Sequence, residues 1–186
     1  MHGDNNTSTF TSEADEAFFG AIGRLTISWG HLELGLDCMV HILYHGFKGN
    51  TTEREIPRNL QRKITFLRSF WRKLQPVGID EEEWAGAVNG YMKLLNRIQT
   101  AAQTRHDIIH GVVIEQVERS GEAIMVRAIR RRDGKIEKRR LHVTTEYILR
   151  AALEAQDLGG RMLYWVDEVN TLIQNLVQQN ADKDLA

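Results

Sequence analysis

The sequence predicts a mainly α protein: a four-helix up-and-down bundle with a three-stranded antiparallel β meander inserted before the last helix. Three observations carry that expectation. Apolar residues recur at alternating steps of four and three over long stretches near both ends, the mark of one buried helix face. Between Gly111 and Thr144 that rhythm gives way to short runs rich in Val and Ile. Glycine, proline and capping residues fall at the joints between these stretches.

Residues 1–11 are small and polar and read as a loose tail. Ser12 with Asp15 and Glu16 starts a helix, its acidic groups meeting the positive end of the helix dipole. Phe18, Ile22, Leu25, Trp29, Leu32, Leu36, Met39 and Leu43 follow at a mean spacing of about 3.5 residues, that of helices packed lengthwise. Gly46 and Gly49 close this helix. A shorter second helix starts near Pro57, a residue tolerated in a first turn. It carries Leu60, Ile64, Leu67, Trp71 and Leu74 inward, and Pro76-Val77-Gly78 breaks it. Asp80 caps the third helix, which runs to His110. Strands are expected over Val112–Val117, Ala123–Arg130 and Ile136–Val143, with Asp133-Gly134 as a hairpin signal. Thr144 or Thr145 caps the last helix, whose stripe is Ile148, Ala152, Ala155, Met162, Val166, Val169, Ile173 and Leu176. Gly159-Gly160 inside it marks either a kink or a close approach of another backbone. A single domain over residues 12–180, with the insertion at about 112–143 and a tail at 181–186, accounts for the whole chain.

The 186 residues and 42% hydrophobic content suffice for one ordinary core. Lys and Arg total 24 against 25 Asp and Glu, so nucleic-acid binding through a globally basic coat is excluded and any such contact is local. One cysteine, Cys38, rules out an internal disulfide and fits a reducing compartment. Neither a signal peptide nor a membrane-spanning apolar run is read. The expectation is a cytoplasmic protein without a membrane partner.

The sharpest chemical feature is Arg105-His106-Asp107-Ile108-Ile109-His110-Gly111 at the end of the third helix. Trp84, Val88, Tyr91, Leu95, Ile98, Ala102, Arg105 and Ile109 form its inward strip, so Arg105 stands at a core-facing step. A guanidinium there needs an anion, a wet cleft or a partner subunit. His110 brings an imidazole to the same helix end, and Gly111 suits the left-handed position that stops a helix. A fixed positive charge and a titratable ring suit a phosphate. A purely structural arrangement stays open, with Arg105 paired to Asp107 or Glu33 and the histidine favoured by the helix dipole.

An arginine, a polar residue, then a histidine four to six positions after the arginine resembles the signature of the HEPN superfamily of helical-bundle domains. Arg105 through His110 is similar in spacing and position, and Ser28-Trp29-Gly30-His31-Leu32-Glu33-Leu34 resembles first-helix segments of such proteins. The meander is outside the minimal family fold. Members modified by a nucleotidyltransferase carry a tyrosine two residues past the histidine; here that position is Val112. The resemblance implies metal-independent RNA cleavage by the 2′-hydroxyl, leaving a 2′,3′-cyclic phosphate, in a toxin or phage-defence setting with a possible antitoxin. It implies His110 for proton transfer, Arg105 for the phosphate, and His106 or Asp107 for orientation or the second proton. It also implies a homodimer that pairs two motifs. Some members only bind, so a non-catalytic dimer module for RNA, a nucleotide or a protein is the alternative.

A second feature is the basic hairpin of Arg127, Arg130, Arg131, Arg132, Lys135, Lys138, Arg139 and Arg140. Pairing across Asp133-Gly134 sets Arg132 opposite Lys135 and Arg127 opposite Arg140. Like charges opposed cost stability, which an RNA backbone would relieve; solvated strands that resist edge aggregation are the plainer reading. His41 and His45 are one turn apart, yet neither a following glutamate nor a cysteine pair assists them, so no metal and no cofactor are expected. Trp29, Trp71, Trp84 and Trp165 read as core.

Overall fold

The structure, a computed structural model, describes residues 13–46, 55–74, 80–117, 122–130 and 134–184. Among these residues the chain is mainly helical, with α1 (Glu13–Gly46), α2 (Leu60–Lys73), α3 (Glu81–Ile109) and α4 (Thr145–Asp184). The strands β1 (Val112–Val117), β2 (Glu122–Arg130) and β3 (Ile136–Thr144) lie between α3 and α4.

Side-chain caps set the helix starts. Asp80 Oδ1 accepts from the backbone N–H groups of Glu82 and Glu83 at 2.9 and 3.1 Å, and Thr144 Oγ1 accepts from Tyr147 N at 3.0 Å. These satisfy donors that a first turn leaves without helical partners. The second helix departs from expectation: it begins at Leu60 rather than near Pro57, because Asn59 Oδ1 accepts from Arg62 N at 2.9 Å and fixes the start there. Ser12, Gly49 and Pro76-Val77-Gly78 lie outside the described residues.

Contacts cluster the chain into two compact units. The helical unit takes Ile27–Gln103 and Leu153–Ala186. Trp29, Leu32, Leu36, Met39, Leu43, Ile64, Leu67, Tyr91, Leu95, Ile98, Leu158 and Met162 are buried in it. Trp71 stacks on Trp84 with centroids 5.2 Å apart and meets Trp165 edge-on at 5.5 Å, so the tryptophans of this unit serve packing.

Helix directions within this unit correct the up-and-down expectation. A Cβ on Gly159 would lie 3.4 Å from Leu32 N, one on Gly35 3.0 Å from Met162 Cγ, and one on Gly46 3.1 Å from Ile173 Cδ1. The residue numbers of each pair differ by the same amount, so α1 and α4 run parallel here. Strict alternation would set them antiparallel. Tyr91 Oη donates to Met162 Sδ at 3.8 Å and Arg97 Nη2 reaches Glu154 at 2.8 Å, so α3 is antiparallel to α4. Alternation breaks between α1 and α2. Lys63 pairs with Asp37 and Phe66 meets Tyr44 at 6.4 Å, so α2 ascends beside α1.

The same contacts decide between the two readings of Gly159-Gly160. Helix α4 is unbroken through them, and Gly159 is where the α1 backbone comes close. Gly159→Leu should therefore lower stability by about 1–3 kcal/mol, since the added atoms meet backbone rather than a side-chain tip. Gly159→Ala, at ordinary contact distance, should be neutral or stabilising through helix propensity. Urea unfolding of both variants checks this; equal midpoints would refute it.

The second unit takes Met1–Thr26 and Thr104–Ala152. Its strands form an antiparallel sheet in the order β1-β2-β3, with a register irregularity between Val113 and Glu115. Gly134 has φ 82°, the left-handed backbone that glycine accepts after β2. Phe18, Ala21, Leu25, Ile108, Ala123, Met125, Val143, Ile148 and Ala152 are its buried apolar residues among those described. None of the described helices is long and apolar enough to cross a membrane.

Candidate functional site

The last turn of α3 builds the site. His110 N donates to His106 O at 3.1 Å, so the helical hydrogen bonding continues through His110 although the helix proper ends at Ile109. That geometry sets which residues share a face. His106 and His110, four apart, are neighbours, and their ring centroids are 4.4 Å apart, edge to face. Arg105 and His110, five apart, diverge by about 140° around the axis. The structure thus joins the two imidazoles on one face. Arg105 is half-buried with its Nε shielded from solvent, and His110 is exposed.

Gly111 follows, for a reason other than the one expected. Gly134 is the only described glycine with a positive φ, so Gly111 is not left-handed. A Cβ on it would come within 2.8 Å of Asp107 O and 2.9 Å of Met125 Cε. The glycine is demanded by the sheet's close approach to the helix end.

Asp107 is the buried polar group of that turn, 9% exposed. Its Oδ1 accepts from Arg127 Nη1 of β2, and its Oδ2 lies 3.8 Å from Arg139 Nη1 of β3. Arg127 and Arg139 are cross-strand partners. The expected register is therefore displaced by one residue, since Arg127 faces Arg139 and Arg140 faces Val126. Two like charges do stand opposed, and a carboxylate of this chain lies between them. Alternation along the strands then divides the basic hairpin. Arg127 and Arg139 share the face of buried Met125 and Val143 and turn to Asp107, Arg139 remaining exposed, while Lys138, Arg140 and His142 stand exposed on the other. Arg131 and Arg132 lie outside the described residues, as does the side chain of Arg130; Lys135 is exposed beyond the start of β3.

Burial holds the His106 pKa below its usual value, with the Arg127 guanidinium, His110 and Arg105 adding to the effect and Asp107 opposing it. A histidine depressed in the fold binds protons less readily than in the unfolded chain. Stability is therefore fully present above pH about 6.5 and falls as the pH drops from there toward the folded-state pKa. His106→Gln should flatten the pH dependence of the unfolding midpoint in that acidic window. An unchanged slope would show that His106 does not supply it.

Motif reasoning did not foresee the pairing of Arg127 with Asp107. The arginine belongs to the helix end, and its position two steps from Met125 on β2 was the available signal. Glu33 is half-buried on α1 in the helical unit, whereas Arg105 belongs to the other. His41 and His45 have ring centroids 4.3 Å apart, and no group of three or more metal-ligating side chains occurs among the described residues. Cys38 is half-buried. Compared with known proteins, the chain matches no family model, no curated protein and no solved structure.

Proposed function

We propose that the chain is a HEPN-like, metal-independent endoribonuclease of the cytoplasm, acting as a homodimer in a toxin or phage-defence role with an antitoxin partner. The observation that carries the reading is the pair of touching imidazoles at an exposed helix end, His106 disfavoured as a cation and His110 open to solvent. RNA cleavage of this class needs two proton transfers. The 2′-hydroxyl loses its proton as O2′ attacks phosphorus, the P–O5′ bond breaks, and O5′ gains a proton. His106, held neutral, suits the acceptor, and exposed His110 suits the donor. Arg105 offers a planar fork for charge growing on the phosphate oxygens. Because it diverges from His110 around its own helix, it serves the His110 of a second copy in this reading. Asp107, committed to Arg127 and Arg139, holds the helix end in place.

A second reading is a non-catalytic module that binds RNA, favoured by the exposed row of Lys138 and Arg140. Incubating purified protein with labelled RNA in EDTA separates the two. Fragments ending in a cyclic phosphate support the endoribonuclease. Salt-sensitive binding without fragments supports the module.

A further inference from the structure

The two faces of the β2–β3 ladder carry different chemistry. On the inner face, the charges of Arg127 and Arg139 are met by Asp107. On the outer face, Ile136, Lys138, Arg140 and His142 occupy successive alternate positions of β3, and all four are exposed, Ile136 by 70%. Their cross-strand partners from Lys138 onward are Ala128, Val126 and Ile124, which offer no acid. The acidic register positions of this face are Glu122, opposite Thr144 at the far end of β2, and Glu115 on β1. Among the described side chains no acidic group pairs with Lys138 or Arg140. β3 lies at the edge of the sheet.

We propose that the outer face of β3 is a track for the backbone of single-stranded RNA, with Lys138 and Arg140 on successive phosphates, His142 on a third and Ile136 against a ribose or base. The inference rests on the RNA reading above and adds to it a path for the strand outside the histidine pair. Alternate residues of a strand are about 6.6–6.8 Å apart, a repeat that an extended polynucleotide can follow with one phosphate per basic side chain. The row holds no aromatic platform, so binding is governed by phosphate charge and is blind to sequence. Arg127, 15% exposed and paired with Asp107, lies outside this track.

The test is the salt dependence of binding to a fluorescent single-stranded RNA, measured in the full chain carrying His110→Ala so that no cleavage intervenes. Each phosphate contact contributes about 0.7 to the slope of log K against log salt. Adding Lys138→Ala and Arg140→Ala should lower the slope by about 1.4. Adding Arg150→Ala, an exposed arginine paired with Glu146 on α4, should leave it unchanged. Equal loss from Arg150→Ala would overturn the track, as would tighter binding of an acidic peptide than of RNA. The two readings fail separately. Cleavage by the wild-type chain with an unaltered slope in the double variant overturns the track alone. A reduced slope without any cleavage overturns the nuclease alone.

Discussion

His110→Ala is expected to lower RNA cleavage in EDTA by about 10²–10⁴-fold, the usual contribution of a positioned proton-transfer group. His110 is exposed and follows the helix proper, so its removal leaves the core untouched. Unfolding midpoints of variant and parent should coincide. The same assay on Arg105→Lys asks a different question. Lysine keeps the charge and loses the planar fork, so a cleavage loss approaching that of Arg105→Ala would show that fork geometry matters. If Arg105 of one copy serves His110 of another, mixing the inactive His110→Ala and Arg105→Ala chains should restore part of the activity through hybrid dimers. Full activity in His110→Ala would end the catalytic assignment of this helix end.

Asp107→Ala should be the most destabilising change in the sheet unit. The carboxylate is 12% exposed, Arg127 15%, and Arg139 stands directly across from Arg127 on the neighbouring strand. Removing the anion leaves a largely buried guanidinium uncompensated and two cations opposed. Breaking such a pair costs about 3–5 kcal/mol, which for a chain of this size lowers Tm by roughly 10 °C. Asp107→Asn keeps the shape and a hydrogen-bond acceptor and should lose less. The decisive variant is the double change Asp107→Leu with Arg127→Met, which removes both charges and should recover much of the stability. A double variant no more stable than Asp107→Ala would show that the pair is not what holds the strands at the helix end. Thermal unfolding followed by circular dichroism reads all three.

Helices and caps were legible in the sequence wherever a local chemical rule applied. Asp80 and Thr144 cap as their side chains allow, and the stripes through Leu32, Leu36, Tyr91, Leu95 and Ile98 are buried. Pro57 misled because proline is only compatible with a first turn, whereas Asn59 actively satisfies one. The direction of α1 relative to α4 was not legible, since an amphipathic stripe records which face is buried and carries no sign for the neighbour's direction. At the site, spacing singled out Arg105 and His110, but a five-residue step does not keep one face of a helix. The i, i+4 partner His106 was visible in the same seven residues. The hairpin register depended on the residues around Asp133-Gly134, and a shift of one position moved Arg139 into line with Arg127. Which basic residues share the face of Asp107 followed from that shift.

The parallel contact of α1 with α4 also bears on when the chain can fold. Leu32, Gly35 and Gly46 lie against Gly159, Met162 and Ile173, which come much later in the chain. The part of α1 that faces α4 therefore stays uncovered until α4 has been made, although α2 reaches other parts of α1 earlier. Such long-range closure slows folding and exposes a nascent chain to association. A chain truncated before Gly159 should be protease-sensitive where α1 faces α4, and the chain carrying α4 through Ile173 and free of the ribosome should be protected there.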